Sequence, residues 1–156
     1  MNKETPKLIL ICGLPGAGKT TLAKVMASEL PAVRFCPDEW MESLGISLWD
    51  EAFRDKLENR LWDFGKEILK LGQNVVLEYG FWGKSERDVK RKEARELGYG
   101  VELYTLDPPL DEIKSLLAAR GMEGDESIIT KLEEYSASFQ RPDEVELKLY
   151  DNHTQS

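Results

Sequence analysis

The stretch Gly13-Leu14-Pro15-Gly16-Ala17-Gly18-Lys19-Thr20-Thr21 constrains this chain more than any other. It fits the pattern G-x-x-x-x-G-K-[ST]. It lies between the wholly apolar run Leu8–Cys12 and a run over Thr20–Leu30 with helical spacing. Glycines let the backbone amides turn inward around an anion with no Cβ in the way. The helix that follows aims its positive end at the same point. In this reading residues 13–21 enclose the phosphates of a nucleotide. Lys19 reaches the outer phosphates, and the Thr20 hydroxyl ligates Mg²⁺. A strand, a phosphate turn and a helix at the start commit the chain to an α/β architecture.

The rest of the pattern agrees. Leu22, Val25, Met26 and Leu30 mark one face of the first helix, and Ala32–Cys36 reads as a second strand. Asp50–Leu71 predicts a long helix, with Phe53, Leu57, Leu61, Phe64, Ile68 and Leu71 at three- and four-residue steps and Gly72 as its stop. Asn74–Glu78 is a third strand, Ser85–Leu97 a very polar helix, and Val101–Leu106 a fourth strand. Leu110–Arg120 and Ser127–Phe139 are helices on either side of GMEGD. Val145–Tyr150 alternates with period two and predicts a fifth strand, with a helix as the alternative. Strands alternating with helices imply right-handed crossovers and a mostly parallel sheet with helices on both faces, in one domain spanning residues 1–156.

Composition removes several classes. The 156 residues carry 29 acidic and 21 basic side chains, a net charge of −8, which disfavours nonspecific nucleic-acid binding. Two cysteines, Cys12 and Cys36, each in an apolar run, read as buried thiols rather than a disulfide framework, and one histidine cannot complete a four-ligand metal site with them. No apolar run reaches membrane-spanning length, so the cytoplasm is the expected location and no membrane partner is expected.

Phosphoryl transfer needs a metal, positive charge around the transferred group and a placed acceptor; a carboxylate that takes the acceptor proton helps further. Two acids stand at strand ends, where open α/β sheets bind ligands: Asp38 past the second strand and Glu78 closing the third. Asp38 reads as a general base or as the N-cap of a helix over Glu39–Leu44. Glu78 reads as a magnesium-orienting carboxylate, acting directly or through water. Arg120, just before the glycine-bearing GMEGD, suits a lid that brings positive charge over the nucleotide; the alternative is a cation complementing the helix dipole. Arg87, Arg91 and Arg95 form a row four apart, and Arg87 is placed as a candidate substrate contact against the alternative of a solvated surface. Tyr79, Phe81 and Trp82, with Trp40 after Asp38, are candidates to wall an acceptor pocket or to form a satellite apolar cluster.

Taken in order, GLPGAGKTTLAK, PDE after the second strand, VVLEYGFW and LDPPLDEIKSLLAARG resemble the small bacterial phosphate-loop kinases often labelled AAA-type ATPases, relatives of zeta toxin, chloramphenicol phosphotransferase and polynucleotide kinase. The resemblance implies a three-layer P-loop NTPase fold with strand order 2-3-1-4-5 and a short lid. It implies Asp38 as the base, Lys19 and Arg120 as charge clamps, ATP and Mg²⁺ as cofactors, and adenine near Phe139-Gln140-Arg141-Pro142. The third strand departs from the family pattern: Glu78-Tyr79-Gly80 stands where Asp, a small residue and Thr are usual. The expectation is an ATP-dependent kinase acting on a hydroxyl of a small molecule. A nucleotide-binding ATPase or switch without such an acceptor, and a polynucleotide 5′-hydroxyl kinase, are the alternatives. The absence of a basic stripe counts against the last.

Overall fold

The computed structural model describes residues 5–119 and 126–155. Five strands form one sheet: β1 (Lys7–Gly13), β2 (Ala32–Phe35), β3 (Asn74–Gly80), β4 (Gly100–Leu106) and β5 (Asn152–Gln155). Their order is β2-β3-β1-β4-β5 and every pair is parallel, the expected topology. The helices are α1 (Lys19–Glu29), α2 (Pro37–Ser43), α3 (Glu51–Lys70), α4 (Lys84–Glu96), α5 (Leu110–Ala119), α6 (Glu126–Ser138) and α7 (Glu144–Leu147).

β1 is central and has no exposed side chain from Leu8 to Cys12. Its alternation divides the core. Ile9 and Ile11 join Val76 and Ala23 on the face that α1 covers with Leu22, Met26 and Leu30. Leu8, Leu10 and Cys12 join Val75, Leu77, Leu103 and the apolar stripes of α3, α5 and α6 on the other. A strand buried on both faces is what the uninterrupted LILIC run requires. Val25, expected on the inner face of α1, is instead 48% exposed, because Ala23 takes the contact with the sheet.

The last segment differs from its expected strand. Of Val145–Tyr150, the first three residues belong to α7, and the fifth strand follows at Asn152–Gln155. Asp143 caps the helix, its side chain accepting a hydrogen bond of 2.8 Å from the Glu146 amide. Glu146, Leu147 and Tyr150 are buried while Val145 and Leu149 are exposed. That is helical spacing, and it outweighs the period-two reading. β5 itself is exposed throughout, Asn-His-Thr-Gln, and only its backbone pairing with β4 makes it a strand.

Candidate active site

The loop between β1 and α1 sits at the carboxyl end of the central strand. Gly16 and Gly18 have φ of +80° and +98°, and a Cβ on Gly16 would lie 2.8 Å from the Leu117 side chain. α1 begins after Gly18 with no side-chain cap and no acid in its first turn, so among the described residues its first amides meet no anionic side chain. The Lys19 ammonium donates to the Gly13 and Leu14 carbonyls at 3.0 and 2.9 Å, spanning the loop. Burial holds its pKa below the usual lysine range, against the opposing pull of Glu78 and Asp38. Leu14 is buried and Thr21 exposed, with Pro15 and Gly16 half-buried between them.

Glu78 is almost fully buried beneath this loop. The Thr20 hydroxyl donates to its Oε2 at 2.6 Å, Arg34 on β2 donates to its Oε1 at 2.8 Å, and the Cys36 thiol lies 3.2 Å from Oε2. Burial pushes the Cys36 thiol up to about 12, so it stays protonated beside the carboxylate. The oxygens of Thr20 and Glu78 suit a hard cation such as Mg²⁺. Among the described residues no group of three or more His, Cys, Asp or Glu could hold a metal ion.

Asp38 does not cap α2; Cys36 occupies the cap, Pro37 opens the helix and Asp38 stands in its first turn. There its side chain is exposed, and Oδ1 accepts a 2.5 Å hydrogen bond from Arg54 of α3. Arg54 also donates to the Leu48 carbonyl, which ties the loop before α3 to the same guanidinium. Neither Arg34 nor Arg54 carries a signal in the sequence, since each meets its acid through tertiary packing.

The aromatic segment after β3 divides. Tyr79 and Phe81 stack at 5.1 Å beside a cavity lined by Asp55, Glu58, Asn59, Glu86 and Lys90. Phe81 adopts φ +46°, a strained backbone for a non-glycine residue, as the chain turns away from the sheet. Trp82 leaves that wall: its Nε1 donates to the Gly13 carbonyl at 2.9 Å and its ring meets Tyr135 at 4.9 Å. Trp40 is exposed beside Phe35 on the α2 side.

Arg87 departs from its expected place at the surface or in a substrate site. It is fully buried rather than facing substrate. It grips Glu146 with two hydrogen bonds of 2.7 and 2.8 Å and donates to the Phe81 and Gln140 carbonyls at 2.7 Å each. The very polar α4 thus turns Arg87, Lys90 and Arg91 inward: Arg87 meets Glu146 from α7, and Arg91 pairs with Asp88 one turn back and lies over the Tyr150 ring. Arg120 and the GMEGD lid lie outside the described residues. Phe139 is buried under Arg141, which pairs with Asp107 after β4.

A model of the AAA domain family matches residues 8–142. The chain is 30% identical over 146 residues to a shikimate kinase of Bacillus mycoides, spanning 88% of this chain and 86% of that one. Its fold is similar to the Mycobacterium tuberculosis APS kinase CysC, with a TM-score of 0.67, 18% identity, and coverage of 97% of this chain and 88% of the other. It is likewise similar to a gluconokinase from Sinorhizobium meliloti 1021, with a TM-score of 0.63, 18% identity, and coverage of 97% and 83%. With a phosphate loop on β1, the sheet order of these neighbours and a family match over most of its length, the chain belongs to the AAA domain family and has the fold of P-loop kinases.

Proposed function

We propose that the chain transfers the γ-phosphoryl group of ATP to a hydroxyl of a small molecule. The observation that carries this reading is the Asp38–Arg54 pair, set where Asp38 still acts electrostatically on the Lys19 ammonium. A hydrolase needs a group that positions water, and a kinase needs one that serves an acceptor hydroxyl. A carboxylate held by an arginine beside that loop, and open to solvent, suits removal of a proton from an acceptor alcohol.

In this mechanism the glycine loop, the first amides of α1 and Lys19 hold the phosphate oxygens and offset their charge. Lys19 exchanges its two carbonyl partners for phosphate oxygens. Thr20 and Glu78 would hold Mg²⁺, which would supply positive charge to offset that of the phosphates. Arg54 orients Asp38, and Asp38 accepts the acceptor's hydroxyl proton. A bond forms between that oxygen and the γ-phosphorus while the bond from the γ-phosphorus to the bridging oxygen breaks, giving ADP, the phosphate ester and one proton. Arg120 is proposed, from its place in the sequence alone, as a further clamp. The kinases named among the relatives support a small-molecule acceptor. The free thiols Cys12 and Cys36 are compatible with a cytoplasmic site of action.

The test is a screen of hydroxyl metabolites with γ-labelled ATP. Label on one compound class, lost in Asp38→Asn while ATP affinity stays within about twofold, supports the reading, because the base acts only in transfer. Label found only in inorganic phosphate across the panel refutes it in favour of an ATPase.

A further inference from the structure

The cavity beside Tyr79 and Phe81 has about 300 Å³ of room, the lower end of the range for small-molecule sites. It lies at the carboxyl end of β3, between the first half of α3 and the first turns of α4. Asp55 and Glu58 come from the turn of α3 that follows Arg54, so the cavity adjoins the Asp38–Arg54 pair.

Its lining is unusual in charge. Three carboxylates, Asp55, Glu58 and Glu86, face one cation, Lys90. Lys90 is only 9% exposed, and among the described residues its ammonium group makes no hydrogen bond or ion pair. The stem of Lys90 is buried and its ammonium opens into the cavity, where a ligand oxygen can accept from it. The Tyr79 hydroxyl, by contrast, is spent on the Glu58 carbonyl at 2.8 Å, so the aromatic pair forms an apolar floor. Burial pushes the Glu58 carboxyl up to about 7, and Glu86 adds to that push.

Three ligand classes can be compared. An anion would satisfy Lys90 but meet three carboxylates. A neutral polyol would hydrogen-bond throughout yet leave the crowding of Glu58 and Glu86 in place. A hydroxyl compound with one ammonium group would pair with the carboxylates, take the Lys90 donor on a hydroxyl oxygen, and lay its carbon skeleton on the Tyr79–Phe81 floor. We propose that this cavity is the acceptor site and that the acceptor is a small polyol bearing an amino group, such as an aminated sugar or cyclitol. The inference rests on the kinase reading above and narrows it to a substrate class.

The experiment uses the full chain loaded with magnesium and a non-hydrolysable ATP analogue. Matched probes are titrated by calorimetry: glucosamine against glucose, an aminocyclitol against inositol, and gluconate. The same probes are then assayed for label transfer from ATP. The aminated member of each pair should bind at least about tenfold tighter, the effect of one partly buried charge pair. Glu86→Gln, an isosteric change at an exposed position, should remove most of that preference, read as the ratio of aminated to neutral affinity within each pair. Binding of the amine near pH 7 should also release protons, as the new cation lowers the Glu58 pKa. Equal or weaker binding of the aminated members, or tightest binding of gluconate, overturns the inference. Label transfer to glucose or gluconate with no amine preference keeps the kinase and overturns the substrate class. Amine binding lost in Glu86→Gln, with label only in inorganic phosphate, supports the cavity's selectivity and overturns transfer to a hydroxyl.

Discussion

Replacing Arg87 by methionine tests whether α4 serves stability or substrate. Arg87 has no exposed surface and Glu146 is 2% exposed. The substitution strands the Glu146 carboxylate in the interior and removes the donor that holds the Phe81 and Gln140 carbonyls. Breaking a buried pair from one side costs about 3–5 kcal/mol. Each kcal/mol lowers the melting temperature of a chain this size by about 2–4 °C. The product is a fall of about 6–20 °C, and the two orphaned carbonyls push it toward the upper half. Circular-dichroism melts read the shift. Arg87→Met with Glu146→Leu should recover most of it, since an apolar pair of similar volume leaves no charge behind. Below its melting temperature the single variant should keep the KM for ATP within about twofold of wild type, because the Arg87 guanidinium is spent on Glu146 and two backbone carbonyls. A melting temperature within about 2 °C of wild type, together with an acceptor KM raised at least about tenfold, would refute the reasoning and return Arg87 to the substrate site.

Arg54→Ala frees the Asp38 carboxylate and should lower kcat by about tenfold to a hundredfold with the KM for ATP nearly unchanged, as steady-state kinetics would register. Trp82→Phe deletes the hydrogen bond to the Gly13 carbonyl and should raise the KM for ATP by about threefold to tenfold, more than that of the acceptor; the reverse order would place Trp82 in the acceptor wall. Glu58 bears on pH. Its folded pKa, about 7, lies above the ordinary 4.5, raised by burial, Glu86 and Asp55 against Arg54 and Lys90. Between those values the folded state holds more protons than the unfolded one, so this group's contribution to stability falls as pH rises from about 4.5 to about 7. Glu58→Gln should therefore melt higher than wild type at about pH 8 and flatten that part of the profile in pH-dependent melts.

Legibility in the sequence followed the range of the interaction. Residues 13–20 could be read because a phosphate loop is local: its glycines, lysine and threonine act within one turn of chain. The sheet order followed from the family resemblance, and the apolar run of β1 announced a strand buried on both faces. Arg54 was not legible because it meets Asp38 across sixteen residues with no shared period. Arg87 misled for the same reason. In sequence it stands in a charged helical row, and only Glu146, 59 residues away on α7, makes its burial tolerable. The terminal strand went astray because Val145–Tyr150 satisfies a period of two by composition, while Asp143 and the buried Glu146 fix a helix. Lys90 and Glu58 offered no pattern at all; a cavity between two helices exists only once both have docked.

The account depends on triphosphate binding in the loop between β1 and α1, with the Lys19 ammonium moving from the Gly13 and Leu14 carbonyls to phosphate oxygens. Calorimetric titration of magnesium–ATP into the wild-type chain and into Lys19→Ala measures this directly. The account predicts one site per chain in the wild type and affinity weakened by at least about tenfold in the variant, the loss of one charge-assisted contact. A titration silent for the wild type, or equal affinity in the two proteins, would contradict it.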